Sequence, residues 1–359
     1  MCKSHVALIG DIAFNGLISE EPEKNQKRFE KIADLLNNFS FTFANLEVPV
    51  QADSSYNEYK RYIHYSKLHP TFELLKLLNI GCVSLANNHI YDCKMSGLKA
   101  TIDLLNDLKI LHTGAGWRKE HVEPVIVSIN GVNYGFLAYV DKSTNPNTEH
   151  FPELLINYLD PVLIKKDIGN IRQKVDRIIV SLHWGMDYSF FPTTKQSLLA
   201  YELIDTGADI IMGHHPHTIQ PYEIYKNGIV FYSLGGLCFG DFIWEGKRRA
   251  LKKKTKLGMV AILPIRRNDN FSIVPTRELK GNYVKIANTN IKRKLKWLYL
   301  LYKLRNKYNL IKTFTHIKET ILDRLFEYFF GYYRNPFKQL GLITNIKKLR
   351  YIFRDYRLQ

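Results

Sequence analysis

The 359-residue chain contains few cysteines and no long apolar run. Its four cysteines, Cys2, Cys82, Cys93 and Cys238, are scattered without the spacing of a disulfide framework or a thiolate metal site. No run reaches the 18 or so apolar residues that favour a membrane-spanning helix. These absences argue against a disulfide scaffold, a cysteine-ligated metal centre and a transmembrane helix. They favour a globular protein whose cysteines lie in a reducing compartment.

The N-terminus leaves little space for a targeting segment. Met1, Cys2 and Lys3 lead almost directly into the short apolar run 6–9, which Asp11 closes. The apolar segment of a signal peptide does not fit there. We therefore expect a cytoplasmic protein, at most peripheral to the inner face of the cell membrane.

Positive charge is concentrated at the C-terminal end. Residues 285–359 hold 18 Lys and Arg against 4 Asp and Glu, and so carry +14 of the net charge of +17. Apolar and aromatic residues recur there at helical spacing. This pattern predicts two parts, a nearly neutral domain at 1–284 and a basic helical extension at 285–359. We expect the extension to bind an anionic membrane surface or a synthesis-complex partner, and its removal to release the protein from membranes. Packing against the domain is the alternative.

Short apolar runs of strand type alternate with segments of helical periodicity. The helical segments are 23–38, 68–79, 94–108, 160–175 and 192–206. Such alternation predicts an α/β fold with helices covering a sheet. Asn-Gly pairs at 130–131 and 227–228 predict two β-hairpins. A further strand pair is expected at 258–264 and 271–275, so the sheets should be mixed.

Five of the apolar runs end in polar residues of the kinds that bind metal ions. These residues are Asp11; Asn45 and Glu47; Asn87, Asn88 and His89; His183; and His214, His215 and His217. Ligands bind outside the carboxyl ends of parallel strands, and one sheet would bring five such ends side by side. One polar site would account for all five polar strand ends, whereas structural roles would need a separate explanation for each end.

This set offers carboxylate, amide and imidazole groups but no thiolate, which suits Mn, Fe or Zn. The predicted metal ligands are Asp11, Glu47, Asn88, His183, His215 and His217. A carboxylate such as Glu47 could bridge two ions. Two divalent ions so placed would activate a water as hydroxide, the nucleophile, and bind a phosphoryl or carbonyl oxygen.

His89 follows a predicted ligand and is assigned as the general acid that protonates the leaving group. Asp92, three residues later, is predicted to orient its imidazole. Other polar and aromatic residues at the strand ends and in the flanking loops are predicted to contact the substrate or line the site. They are Asn45, Asn87, Trp184, Asp187, His214, Arg61 and His64.

The order of these motifs is informative in itself. They are Gly10-Asp11, Asn45-Leu46-Glu47, Ala86-Asn87-Asn88-His89-Ile90-Tyr91-Asp92, Ser181-Leu182-His183-Trp184-Gly185 and Gly213-His214-His215-Pro216-His217. Over residues 5–265 this order resembles the CapA family of capsule and poly-γ-glutamate synthesis proteins, which is similar to the calcineurin-like metallophosphoesterases. The resemblance implies a four-layer αββα sandwich with a dinuclear site. Phosphoesterases carry Asp-x-His first, whereas Ala13 stands here in place of that histidine, as in the CapA family.

Two functions from different classes follow. The favoured one is a metal-dependent hydrolase of capsule, poly-γ-glutamate or other surface-polymer biosynthesis, acting on a phosphoester or a γ-glutamyl amide. The alternative is a non-catalytic assembly component that binds an anionic polymer or intermediate. A nucleic-acid enzyme is disfavoured, because the basic extension carries no recognisable binding module.

Overall fold

The computed structural model describes most of the chain as far as Tyr302. The described residues are 3–60, 62–240, 242–244, 247–249, 256–266, 271–288, 291, 293, 295, 296, 298–300 and 302. Arg61, predicted to contact the substrate, lies outside them, and so do residues 303–359 of the predicted extension.

The helices and strands alternate as the sequence predicts. The helices are α1 (Leu17–Glu20), α2 (Asn25–Leu36), α3 (Leu68–Leu77), α4 (Lys94–Asp107), α5 (Pro161–Arg172) and α6 (Thr194–Thr206). The strands are β1 (His5–Ala13), β2 (Phe41–Leu46), β3 (Ile80–Ser84), β4 (Leu111–Thr113), β5 (Ala115–Gly116), β6 (Val125–Ile129), β7 (Val132–Val140), β8 (Leu155–Ile156), β9 (Arg177–His183), β10 (Ile210–His214), β11 (Tyr222–Tyr225), β12 (Gly228–Phe231), β13 (Gly236–Phe239), β14 (Phe242–Trp244), β15 (Lys247–Arg249), β16 (Leu257–Pro264), β17 (Ser272–Glu278) and β18 (Val284–Ile286). The five predicted helical segments are confirmed as α2 to α6, within a few residues at each end.

Two mixed sheets carry the fold. The first has the order β18-β17-β16-β1-β2-β3-β4, with β13 also paired to β1. Its strands β1 to β4 and β13 are parallel, whereas β16 to β18 form an antiparallel edge. The second sheet has the order β11-β12-β10-β9-β7-β6, parallel in its centre and antiparallel at both edges. The prediction of mixed sheets is confirmed.

The two sheets pack face to face and helices cover both outer faces. One outer core joins α2, α3 and α4 to the first sheet, and another joins α5 and α6 to the second. Between the sheets, the ring of Phe43 on β2 stacks on Phe136 of β7 at a centroid distance of 5.3 Å. The central strands are therefore buried on both faces, which explains their continuous apolar sequences. The fold is the four-layer αββα sandwich that the resemblance implied.

The predicted hairpins form, with one shift in register. Asn130 and Gly131 turn between β6 and β7 at φ 50° and 78°, as a two-residue hairpin requires. The second turn was predicted at 227–228 but lies one residue earlier. Gly228 already pairs with Tyr225 as the first residue of β12, and Lys226 takes the positive φ of 49°. The strand pair expected near 258–264 and 271–275 is confirmed as β16 and β17.

The start of the predicted extension packs on the domain. The described positions between 291 and 302 are helical, and Leu298 and Tyr302 are buried. The ring of Tyr299 stacks on Tyr222 of β11 at 4.9 Å. The compact unit that holds the described residues ends at Tyr302, and the division at 284/285 stays a prediction. Among the described residues, no helix combines the length and hydropathy that crossing a membrane requires.

Replacing Phe43 by alanine should lower the free energy of unfolding by about 3–5 kcal/mol, because the ring fills the interface between the sheets. Guanidinium denaturation of the metal-free full chain, followed by circular dichroism, measures the change. Leu198 of α6 is 56% exposed, so Leu198→Ala should change the same quantity by less than about 0.5 kcal/mol. Equal losses from both variants would contradict the placement of the inner core.

Candidate metal centre

Asp11 is positioned by a change of partner along β1. Residues His5 to Ile9 pair with β16, whereas Asp11 pairs in parallel with Gly236 of β13. At the change, the backbone N–H of Asp11 donates to the carbonyl of Gly235 at 3.0 Å. A Cβ on residue 10 would lie 1.8 Å from that carbonyl oxygen. Only glycine therefore fits before Asp11.

The end of β10 is held in the same way. Leu234, in the segment that runs from β12 to β13, donates its N–H to the carbonyl of Gly213 at 3.1 Å. A Cβ on Gly213 would lie 2.0 Å from the carbonyl oxygen of Tyr232. The segment 232–236, which crosses from the second sheet to the first, thus packs directly against β10 just before His214 and against β1 just before Asp11.

Parallel register brings the remaining strand ends to this crossing. Asn45 of β2 lies beside Asp11, and His183 of β9 lies beside His214. Across the sandwich, Nδ2 of Asn45 is 3.4 Å from Nδ1 of His183. The prediction that one sheet supplies all five ends is wrong. β1, β2 and β3 belong to the first sheet and β9 and β10 to the second, and the ends meet because both sheets end at the same edge of the sandwich.

Three of the predicted ligands form one compact group. Nδ1 of His217 is 3.4 Å from Oδ2 of Asp11, and Nε2 of the same ring is 3.3 Å from Oε1 of Glu47. One ligand atom from each residue lies within 4.8 Å of the other two. Both carboxylates are fully buried. The group therefore has the size and the chemistry of a divalent-cation site.

The other three predicted ligands lie together beside this group. Nε2 of His183 is 2.9 Å from Oδ1 of Asn88. The rings of His183 and His215 are 4.9 Å apart between centroids. At the outer side, Nε2 of His215 is 3.8 Å from Oδ1 of Asp187, whose side chain is 59% exposed. The structure thus gathers all six predicted ligands in one region, as two neighbouring sets of three.

Glu47 shows that the residues fit a cation. Among the described residues, no donor makes a hydrogen bond to either of its buried carboxylate oxygens. Buried polar atoms normally have hydrogen-bond partners, whereas Glu47 has only the longer contact of 3.3 Å between Oε1 and Nε2 of His217 within the described structure. Nδ1 of His215 has no hydrogen-bond partner among the described residues either. Oxygen and nitrogen ligands of this kind suit Mn, Fe or Zn.

The electrostatics of the compact group agree with this fit. Burial works against ionisation of Asp11, but hydrogen bonds from His214 and His217 hold its pKa well below the usual range. Burial raises the pKa of Glu47 well above its ordinary value, and the charge of Asp11 adds to the effect. Burial also disfavours protonated His217, yet the Glu47 and Asp11 carboxylates raise its pKa to about 9. The metal-free group thus retains a proton where a cation would supply positive charge.

Three residues predicted to contact substrate form buried hydrogen bonds that lead to Asp11. Asn45 donates to Oδ1 of Asp11 at 2.9 Å, and Nδ1 of His214 is 2.9 Å from the same oxygen. Asn87 donates to the carbonyl of Leu46 at 2.8 Å and to Oδ1 of Asn45 at 3.3 Å. All three side chains are fully buried. Their contacts support a role in orienting Asp11 and give no support to substrate contact.

Trp184 and Asp187, which both follow His183 in the sequence, lie in different surroundings. Trp184 is buried in the outer core under α5 and α6, where its indole N–H donates to the carbonyl of Tyr232 at 3.0 Å. This placement gives no support to the prediction that Trp184 lines the site. Asp187, in contrast, lies exposed beside His215. It remains a predicted substrate contact.

His89 and Asp92 form the predicted pair. Nδ1 of His89 is 2.8 Å from Oδ2 of Asp92, and the His89 side chain is 12% exposed. Asp92 is fully buried. Its Oδ1 accepts a hydrogen bond from the ammonium group of Lys60 at 2.6 Å, and its Oδ2 accepts one from the backbone N–H of His64 at 2.7 Å. Burial raises the pKa of Asp92, and Lys60 opposes that rise.

The rings of His64 and Phe239 form a chain of contacts between the His89–Asp92 pair, called the acid pair below, and the compact ligand group of Asp11, Glu47 and His217. The His64 ring lies 4.8 Å from that of His89 and 5.2 Å from that of Phe239, both in edge contact. Phe239 lies 5.4 Å from His217 in the same manner. Burial lowers the pKa of His64 to about 3, so this ring is neutral. Sequence reasoning missed Phe239 and Lys60, since neither belongs to a strand-end motif.

The comparisons with known proteins agree with the motif order. Residues 5–241 match a family model described as bacterial capsule synthesis protein PGA_cap. The chain is 31% identical over 260 residues to a capsule biosynthesis protein CapA of Bacillus anthracis, covering 69% of this chain and 63% of that protein. It is 28% identical over 269 residues to a PGA biosynthesis protein CapA of Bacillus subtilis, covering 72% and 70%. The match thus spans less than two thirds of the Bacillus anthracis protein.

One of the similar solved structures is the calcineurin-like phosphoesterase YfkN from Bacillus subtilis. The similarity covers 79% of this chain and 89% of that one, with a TM-score of 0.39 and 12% sequence identity.

Replacing Glu47 by glutamine should weaken Mn²⁺ binding by more than the roughly 10–100-fold that loss of an outer partner costs, because it removes a ligand charge from the compact group. Calorimetric titration with MnCl₂ and elemental mass spectrometry of the loaded protein measure the effect. Glu223→Gln is the matched control. That carboxylate accepts hydrogen bonds from tyrosine hydroxyls at the edge of the second sheet, away from the ligand group. Unchanged Mn²⁺ binding in Glu47→Gln would contradict the assignment.

Proposed function

Since the chain belongs to the bacterial capsule synthesis protein PGA_cap family, we propose that it is a metal-dependent hydrolase of surface-polymer biosynthesis. The observation that carries the proposal is the juxtaposition of two features. One is the buried Glu47 carboxylate without a hydrogen-bond donor among the described residues, beside Asp11 and His217. The other is the nearby His89–Asp92 pair.

The class of substrate follows from the relatives and the chemistry of the site. The two Bacillus relatives are described as capsule and PGA biosynthesis proteins. We propose that this chain hydrolyses a bond in an anionic polymer or in its precursor, either a γ-glutamyl amide or a phosphoester. Both bonds need an activated water, a positive group on the developing oxyanion and an acid for the leaving group.

The ligand groups determine what a cation would do here. Asp11, Glu47 and His217 would hold one divalent ion, and Asn88, His183 and His215 a second. Bound ions of this kind lower the pKa of water and stabilise negative charge on a substrate oxygen. Asn45 and His214 hold the Asp11 carboxylate in a fixed orientation, because Oδ1 accepts a hydrogen bond from Nδ2 of Asn45 and lies 2.9 Å from Nδ1 of His214. The protein thus supplies a preorganised ligand set.

His89 is suited to transfer the proton. Its Nδ1 faces Oδ2 of Asp92, which leaves Nε2 as the nitrogen for exchange with a substrate. Its side chain is partly exposed whereas Asp92 is not. A buried carboxylate behind an accessible imidazole is the arrangement of an acid–base pair. A passive anion-binding site, as in the assembly alternative, does not require it.

Replacing His89 by glutamine should lower turnover by about 10²–10⁴-fold, the usual contribution of a general acid. Rates of the Mn²⁺-loaded full chain on bis(p-nitrophenyl) phosphate and on γ-glutamyl-p-nitroanilide measure the loss. Metal content should equal that of the unchanged protein, since His89 is outside both ligand sets.

His112→Gln is the control, because this second partly buried histidine contacts His121 and not the ligand group. If the metal-loaded protein turns over neither probe, and His89→Gln supports polymer synthesis in cells as well as the unchanged chain, the assembly role replaces the hydrolase.

We also propose that residues 303–359 bind an anionic membrane surface. This segment holds 13 Lys and Arg against 4 Asp and Glu, together with many aromatic residues. Cations attract anionic lipid, and aromatic rings favour the headgroup region. Removal of everything after residue 284 is not a clean test, because it would strip the buried Leu298 and Tyr302 from the domain.

A chain ending at Tyr302 should lose binding to vesicles of phosphatidylcholine and phosphatidylserine, while keeping its Mn²⁺ affinity. Co-sedimentation at low and high salt measures the binding, and vesicles of phosphatidylcholine alone are the control. Equal sedimentation of the full and shortened chains would contradict the membrane role and favour a protein partner for this segment.

A further inference from the structure

We propose that Lys60 is a positioning residue for His89. Its ammonium group fixes the Asp92 carboxylate and the peptide that precedes His89, and so keeps the ring proton of His89 on Nδ1. The inference rests on the proposed function only in taking His89 as the group that meets the substrate. The contacts of Lys60 carry the rest.

The surroundings of Lys60 show that it serves the protein interior. Its side chain is 7% exposed. Nζ donates to Oδ1 of Asp92 at 2.6 Å and to the backbone carbonyl of Asn88, and it lies 3.2 Å from Nδ1 of His89. Two of its donors are thus taken by oxygen acceptors, and the approach to Nδ1 is not a hydrogen bond when that nitrogen carries the proton that Asp92 accepts. Within the described structure, Lys60 is therefore committed to internal contacts and is not placed to bind an anionic substrate.

The contacts of Asp92 decide which nitrogen of His89 carries the proton. A carboxylate oxygen only accepts, so the 2.8 Å separation between Oδ2 of Asp92 and Nδ1 of His89 requires a proton on that nitrogen. The same oxygen also accepts the backbone N–H of His64. Among the described residues, Lys60 alone donates to the other oxygen, Oδ1. The orientation of the carboxylate plane therefore depends on Lys60.

Loss of the ammonium group would change this arrangement in two ways. Oδ1 of Asp92 would be a buried charge without a counter-ion, which favours rotation of the carboxylate away from His89. The carbonyl of Asn88 would also lose its donor, freeing the peptide that leads into His89. Both changes weaken the preference for the proton on Nδ1. The ring would then populate both tautomers, and only one of them leaves Nε2 free to take up and deliver a proton.

The loop that carries Lys60 is anchored for this purpose. The backbone N–H of Asn57 donates to the carbonyl of Asp92 at 3.0 Å, and the N–H of Ser66 donates to the carbonyl of Pro49 at 2.9 Å. Between these two hydrogen bonds, the loop places both Lys60 Nζ and the backbone N–H of His64 against the carboxylate of Asp92. The loop thus holds Asp92 on the side away from His89's Nε2.

The test is the tautomeric state of His89 in the full chain, loaded with Zn²⁺ and labelled with ¹⁵N in its histidines. Long-range ¹H–¹⁵N spectra distinguish protonated from unprotonated ring nitrogens, and the spectrum of His89→Gln identifies the signals. The unchanged chain should show a protonated Nδ1 and an unprotonated Nε2. In Lys60→Met the two nitrogen shifts should move toward each other, and Lys60→Arg, which keeps the charge, should restore them.

Lys67→Met is the matched control. Lys67 forms its ion pair with Glu20 at 2.8 Å, and its side chain is 48% exposed. This variant should leave the His89 signals unchanged. If Lys60→Met does not fold, Lys60→Gln, a neutral donor, takes its place with the same expected shift. A folded variant without the ammonium group that keeps the original tautomer would overturn the proposal.

Activity separates this inference from the proposed function. If the chromogenic probes are turned over, Lys60→Met should lower kcat by about 100-fold, the cost of misplacing a catalytic group, with KM nearly unchanged. If neither probe is turned over by the unchanged chain, the hydrolase proposal fails. The tautomer measurement still decides whether Lys60 positions His89.

Discussion

The close contact between the chain crossing at 232–236 and two glycines is the constraint on which the site depends. The crossing runs from the second sheet to the first, and its backbone lies against Gly10 on β1 and Gly213 on β10. A side chain at either glycine would separate the sheets at this edge. Because Asp11 and His214 directly follow these glycines, the contact that joins the sheets also brings their polar ends together. Packing and ligand geometry are therefore set by the same few backbone atoms.

A fold built only for stability would not leave the resulting cluster as it is. Glu47 is fully buried, and its carboxylate oxygens accept no hydrogen bond from the residues that the structure describes. The Asp11 carboxylate, in contrast, is held by Asn45 and His214. Hydrogen bonds within the protein thus satisfy Asp11, whereas Glu47 has the 3.3 Å contact with Nε2 of His217 and keeps acceptor capacity that suits a cation. Local violation of the rule that buried polar groups are paired is expected where a ligand binds.

Sequence patterns predicted the elements and the ligand candidates because both are local. The helices α2 to α6, the Asn130-Gly131 turn and the polar residues after each strand follow from spacing along the chain. The gathering of those residues from two sheets depends on long-range packing, which spacing does not encode. The buried hydrogen bonds of Asn87 to Asn45 and Leu46 also depend on this packing, and they give no support to the predicted substrate contact. Phe239 and Lys60 had no local signal, since an apolar strand residue and a loop lysine are ordinary until the fold places them.

The charges around the cluster also bear on the choice between a hydrolase and a passive binding protein. The carboxylates of Asp11, Glu47 and Asp187 lie in or beside the ligand sets. The ammonium group of Lys60, close to His89, donates to Asp92 and to the backbone carbonyl of Asn88. A bound cation would offset these carboxylates and so favour an anionic polymer at this surface, in the binding role as well as in the catalytic one. The hydrolase that we propose would use both the metal-loaded site and the imidazole–carboxylate pair, whereas the binding role would use only the first.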